Sequence, residues 1–158
     1  MTRWPGNAKD EKTSFGTLNR SELMARVRST GNKTTEVKMR GLLRAARIKG
    51  WRRHLPMIGK PDFAWPKEHV VLFIDGCFWH GHLCGKNINP RTNAESWAKK
   101  ITGNRLRDRV VNSQLRSAGW SVVRIWECCL TRNPEDCLEK LTQRLRASNG
   151  RGQLRHKS

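Results

Sequence analysis

The chain contains no tyrosine and is short of acid. Among 158 residues, 13 Asp and Glu stand against 32 Lys and Arg, a formal net charge of +19. That imbalance makes a polyanion the expected partner, nucleic acid first among them. Long hydrophobic runs are also missing. No segment approaches the roughly 18 consecutive apolar residues that cross a bilayer, so a membrane-spanning helix is excluded. No basic segment followed by an apolar run opens the chain, so no secretory signal is read there and a reducing, cytoplasmic setting is expected. In such a setting the 5 Cys are poor disulfide candidates, and metal ligation or simple burial explains them better. Proline is scarce at 6 residues, and neither a repeat nor an internal linker divides the chain. Tryptophan is abundant instead: 7 occur in a chain that is only 36% hydrophobic.

Three segments are legible. Residues 1–18 carry Pro5, Gly6, Gly16 and mixed charge without periodicity, and read as a flexible arm. Residues 148–158 hold basic residues and no acid, and read as a basic tail. Residues 19–147 make one domain. Asn19 with Glu22 resembles a capping box opening a short helix to Ser29. Met39, Leu42, Leu43 and Ala46 are spaced for the buried face of a helix over Thr34–Arg47. Trp51–Leu55 and Asp62–Trp65, around a turn at Pro56–Lys60, suggest two strands. Val70–Ile74 is short and β-branched enough for a third, buried one. A long helix is expected over Ala94–Ser117, stopped by Gly119. Trp120–Trp126 follows as a buried strand, and Asn133-Pro134 opens a last helix bearing Leu138, Leu141 and Leu145. This order predicts an α/β fold layered around one sheet.

The densest chemistry is Cys77-Phe78-Trp79-His80-Gly81-His82-Leu83-Cys84. Two thiols and two imidazoles within eight residues have the density of a metal site. A closed structural zinc takes four soft or borderline ligands. A fragment with two cysteines needs a second fragment to complete that shell. Cys128, just after the last strand, is its natural source, with Cys129 as rival. The expected ligands of one structural Zn2+ are therefore Cys77, His82, Cys84 and Cys128. Burial suits Cys137 better than ligation.

Carboxylates are rare enough to follow individually. Asp62 opens a strand behind Pro61, and Asp75 ends the next strand before Gly76. At neighbouring strand ends, two such acids could share an oxygen-ligated divalent cation such as Mg2+, or simply be solvated. Along the long helix Trp97, Ile101, Asn104, Asp108, Val111 and Leu115 recur at steps of three and four. The Asn and the Asp interrupt an apolar stripe, as hydrogen-bonded structural groups or as site residues. Phe78, Trp79 and Trp97 lie among basic residues, a mixture suited to stacking on or wedging between bases while cations hold phosphates. Trp120 and Trp126 read instead as core aromatics.

Gly76-Cys77-Phe78-Trp79-His80-x-His82-x-Cys84, with Pro61-Asp62-Phe63 before it and Trp126-Glu127-Cys128 after it, resembles the very short patch repair (Vsr) mismatch endonucleases. The resemblance runs from about Asn19 to Leu145 and implies a PD-(D/E)XK nuclease core with an added zinc site. It implies an enzyme that nicks one DNA strand 5′ of the T in a T:G mismatch, the lesion left by deamination of 5-methylcytosine. By position it makes Asp62 the ligand of a catalytic Mg2+, with a main-chain carbonyl near Ile74, and His80 the general base. Glu36, Asn104 and Asp108 would organise metal-bound water and the hydrogen bonds around it. Phe78, Trp79 and Trp97 would wedge into the duplex, and Met24 would enter the minor groove. The implied partners are double-stranded DNA, with mismatch-repair factors and a companion cytosine-5 methyltransferase as candidates. A bacterial, nucleoid-acting monomer is expected. One departure stands out. Where the best-known members have Thr-His-Gly, this chain reads Ile74-Asp75-Gly76, which suggests Asp75 as a second, direct Mg2+ ligand. The alternative from another class is a non-catalytic, zinc-stabilised binder of mismatched or distorted DNA.

Overall fold

The computed structural model describes residues 33–84 and 94–154. The expected N-terminal arm, the 19–29 helix and Met24 lie outside them. Helix α1 (Lys33–Ala45) leads into strands β1 (Arg52–Arg53), β2 (Phe63–Trp65) and β3 (Val70–Asp75). Helix α2 (Ala94–Ser117) connects to β4 (Ser121–Trp126), which runs into α3 (Glu127–Arg132) and α4 (Pro134–Leu154). The strands form one sheet in the order β1-β2-β3-β4. The first two pairings are antiparallel, and β3 with β4 is parallel. A parallel neighbour requires a crossover, and α2 is that crossover.

Side-chain alternation along the strands sorts the core into two layers. Val70 and Leu72 of β3 join Val123 and Ile125 of β4 on one face, packed by Met39 and Leu43 of α1 and by Leu141 and Leu145 of α4. Val71 and Phe73 occupy the opposite face with Val111 and Leu115 of α2. The same alternation puts Asp75 on the α2 face of β3, and Arg124 and Trp126 on the α2 face of β4. The fold thus carries polar residues to one end of a packed layer, where two parallel strands finish beside a helix.

The α/β expectation holds, and α2 has the predicted bounds. The strand expected over Trp51–Leu55 shrinks to Arg52–Arg53, an exposed edge pair. His54, with φ of 50°, turns the chain out of the extended region. The strand expected as buried over Trp120–Trp126 is only partly so: of β4 Val123 and Ile125 are buried and the other four residues are half-buried. The short α3 was not anticipated; it places Cys128 and Leu130 inward. Helix α4 continues to Leu154, past Ser148, where the basic tail was expected to begin.

Candidate active site and metal centre

Residues 76–84, which follow β3, are held in place by polar residues of α2. Gly81, with φ of 63°, lets the chain double back over α2; a Cβ there would lie 2.7 Å from Ile101 Cγ2 and 2.9 Å from Arg105 Nη2. Three successive carbonyls of the loop accept hydrogen bonds from α2. Asn104 Nδ2 donates to Trp79 O at 2.8 Å, Arg105 Nε to His80 O at 2.9 Å, and Arg105 Nη2 to Gly81 O at 2.6 Å. One turn further on, Asp108 Oδ2 lies 2.6 Å from His80 Nδ1. The two polar intrusions in the apolar stripe are therefore docking points. Asn104 holds the loop's main chain and Asp108 holds the histidine.

His80 belongs to a compact group with Asp75 and Asp108, whose ligand-type atoms lie within 4.8 Å of one another. Its Nε2 is 3.8 Å from Asp75 Oδ1. Because a carboxylate accepts, Nδ1 carries a proton toward Asp108, and the tautomer this selects has its lone pair on Nε2. Arg124 binds both acids: Nη1 is 2.8 Å from each Asp75 oxygen, and Nη2 is 3.1 Å from Asp108 Oδ1. Burial pushes the Asp75 carboxyl up, and the Arg124 charge only partly opposes it. At Asp108 burial also pushes up, but the His80 hydrogen bond and Arg124 outweigh it, leaving the carboxyl below its usual range. These residues line a cleft of about 450 Å³, together with Arg105, Arg109 and Leu83, the last 94% exposed.

Asp62 lies outside that trio. Its Oδ2 accepts the main-chain N–H of Ile74 at 2.7 Å, so the end of β3 is joined to the start of β2. Burial, only partly opposed by that hydrogen bond, pushes its carboxyl up to about 6; the negative charges of Glu36 and Asp75 add to the rise, and His54 works against it. Glu36, 4% exposed, ion-pairs with Arg53, and His54 Nε2 stands 3.4 Å from it. Glu36, Asp62 and Asp75 therefore share one electrostatic environment.

The second cluster matches the expected quartet. Ligand atoms of Cys77, His82, Cys84 and Cys128 all lie within 4.8 Å of one another. Tetrahedral zinc places its ligand atoms about 3.6 Å apart, a distance already met by Cys128 Sγ and His82 Nδ1 at 3.4 Å. Cys129 is exposed, with its Sγ 3.9 Å from that of Cys128, and it is not part of the group. Burial, reinforced by the neighbouring thiols, pushes Cys77 up to about 12. Packed this closely, the thiols ionise only if a cation compensates them, so the donor set fits a soft divalent ion. Cys137 is buried in the core, as expected.

Trp126 is not a core residue as anticipated. Its ring stacks on His82 with centroids 4.2 Å apart and 8° between planes, and it meets His80 edge-on at 6.1 Å. It therefore contacts one histidine of each cluster. Phe78, Trp79 and Trp97 pack on one another with centroids 4.9–5.8 Å apart, and Lys100 Nζ stands 5.3 Å over Trp97. All three are half-buried. Sequence reasoning missed Arg124, Trp126, Arg105 and the Arg53–Glu36 pair. Arg124 did leave a signal, since an arginine inside Val-Val-Arg-Ile-Trp interrupts an apolar strand just as Asp108 interrupts the helix stripe. Arg105, one cation among many, left none.

The family model described as DNA mismatch endonuclease Vsr matches residues 13–86. A type II nicking enzyme of Neisseria meningitidis serogroup A is 36% identical over 132 residues, 84% of this chain and 93% of that protein. A type II nicking enzyme of Xanthomonas oryzae pv. oryzae is 40% identical over 114 residues, 71% of this chain and 82% of that one. The DNA mismatch endonuclease Vsr of Escherichia coli is 42% identical over 87 residues, covering 55% of this chain and 56% of the relative.

Proposed function

This chain belongs to the Vsr family of DNA mismatch endonucleases, and from that membership we propose that it nicks one strand of duplex DNA 5′ of the T in a T:G mismatch, initiating very short patch repair on a PD-(D/E)XK-type core. The observation that carries the reading is the His80–Asp108 pair, 2.6 Å apart on the wall of a cleft that Arg105, Arg109 and Arg124 make cationic. His80 Nε2 takes the proton of the attacking water, while Asp108 keeps the ring in the right tautomer and stabilises the imidazolium that forms. Arg109 on the cleft wall neutralises the phosphodiester without reading its sequence.

Asp62 and the main chain at Ile74 would hold Mg2+, for which oxygen donors of a half-buried carboxylate and a carbonyl are well matched. A Mg2+ held there would supply charge stabilisation to the phosphodiester. Asp75, which the sequence suggested as a second carboxylate ligand, has both oxygens accepting from Arg124. Glu36, paired with Arg53, would organise metal-bound water beside Asp62. Cys77, His82, Cys84 and Cys128 would hold one structural Zn2+ that fixes the loop carrying His80. Phe78, Trp79 and Trp97 form one aromatic wedge, aided by Met24. The substrate is a mismatched duplex on the bacterial nucleoid, met by a monomer that works beside repair factors and a cytosine-5 methyltransferase.

The test is nicking of a 5′-labelled T:G duplex with and without Mg2+. A single cut 5′ of the T, dependent on the cation and absent from the T:A duplex, is expected. His80→Ala should lower the rate by about 10²–10⁴-fold with DNA binding retained. A wild-type chain that binds the mismatch and never cuts it would instead be a non-catalytic, zinc-stabilised binder.

A further inference from the structure

We propose that Arg124 is the resident cation of the Asp75–His80–Asp108 cluster, a positioning residue whose guanidinium occupies the place a second divalent ion would otherwise take. The inference deepens the nuclease reading and rests on it for the role of His80. The spacing of the three groups, within 4.8 Å, is that of a divalent cation site. All three nitrogens of Arg124 are nevertheless committed there. Nη1 donates to both Asp75 oxygens at 2.8 Å, Nη2 lies 3.1 Å from Asp108 Oδ1, and Nε donates to Asn112 Oδ1 at 3.1 Å. The guanidinium carbon lies 4.6 Å from the centre of the Phe73 ring, a cation–π contact from below.

These anchors come from β3 and α2, so the fork is fixed by packed elements on two sides. A planar guanidinium gains most from this kind of multiple, preset engagement. Asp108 is used twice, through Oδ1 by Arg124 and through Oδ2 by His80. Arg124 thereby sets the plane of the carboxylate that orients the imidazole, and acts on His80 through Asp108. Asp75, 6% exposed, is compensated by the same side chain. Asp62 differs: among the described residues no Lys or Arg forms an ion pair with it. The oxygen donors still open to a metal are therefore those at Asp62, and Asp75 is a partner of Arg124 and not a metal ligand.

Mn2+ titration of the full chain, with bound ions counted by electron paramagnetic resonance and zinc content measured alongside, tests this independently of cleavage. The Mn2+ count of the wild-type chain should be unchanged by Asp75→Asn. Arg124→Gln should add one bound Mn2+, which Arg124→Gln combined with Asp75→Asn should remove. Arg124→Lys, which keeps a cation, should retain the wild-type count. The proposal is overturned if Asp75→Asn removes an ion that the wild-type chain binds. It is equally overturned if Arg124→Gln, folded by circular dichroism, gains none. Should Arg124→Gln fail to fold, the Asp75→Asn comparison decides alone. Failure to nick a T:G duplex would overturn the enzyme reading and leave these ion counts untouched.

Discussion

At the scale of single residues, Asp62 sets its proposed metal-binding role against stability. Its carboxyl is pushed from the ordinary 3.8 to about 6, by burial first. Folding therefore favours the protonated form. Between about pH 4 and 6 the folded chain binds more protons at this position than the unfolded chain does, so its contribution to stability falls as pH rises through that window. The cost is complete above about pH 6, and the shift corresponds to at most ~3 kcal/mol. Asp62→Asn keeps an acceptor for the Ile74 N–H and removes the charge. Without added divalent cation it should raise the thermal midpoint at pH 7, with the gain vanishing below about pH 4, while nicking is lost. A midpoint at pH 7 equal to or below that of the wild type would show that the carboxylate is not under strain. Asp108 works in the opposite direction. With its carboxyl held low by His80 and Arg124 against burial, its contribution is complete above about pH 4 and is lost as pH falls through its lowered value.

At the scale of elements, the loop after β3 and helix α2 form one device. Residues 76–84 take their shape from donors on the helix, from the thiol–imidazole cluster and from the packing of Phe78 and Trp79 on Trp97. Gly81→Ala would force a side chain into the left-handed region and against Ile101 and Arg105. A loss of about 1–3 kcal/mol in urea unfolding is expected. Nicking should fall more than DNA binding does, because the His80 carbonyl anchor shifts. The two adjacent cysteines separate just as clearly. Cys128→Ser should cost one zinc per chain and lower the thermal midpoint, whereas Cys129→Ser, on an exposed thiol, should leave metal content unchanged. Zinc loss in Cys129→Ser would reassign the fourth ligand. Much of this device was legible beforehand, since three of the four proposed ligands sit within eight residues and α2 carries its stripe at helical spacing. The short α3 that aims Cys128 inward was not legible. Six residues hold too little periodicity, and the helix exists because Leu130 docks in the core.

For the whole molecule, the net charge of +19 predicts a DNA affinity set largely by counterion release. The logarithm of the binding constant should fall linearly with the logarithm of salt concentration, with a slope of about −0.9 per phosphate neutralised. Arg109, which lines the cleft, should contribute one such contact. Arg109→Ala should make that slope shallower by about 1 while leaving the preference for T:G over T:A intact. An unchanged slope in anisotropy titrations would place Arg109 away from the backbone.

Sequence alone determined the features that depend on short-range pattern. These are the helical stripe of α2, the apolar strands β3 and β4, the metal-ligand density of Cys77–Cys84, and a charge that points to a polyanion. Each is a spacing of three, four or two residues, or a simple count, and needs no knowledge of what lies across the fold. Tertiary structure decided which polar groups meet. Arg124 reaches Asp75 across 49 residues of sequence only because β3 and β4 run parallel, with Asp75 opposite Trp126. That same register stacks Trp126 on His82 and turns an expected core residue into part of the site. Glu36 finds Arg53 because α1 packs on the sheet whose edge carries β1. In a chain with 13 acids among 32 strong bases, composition offers many cations to every carboxylate. The packing of α2 against two parallel strand ends selects Arg124 for Asp75 and Asp108, while among the described residues no Lys or Arg forms an ion pair with Asp62.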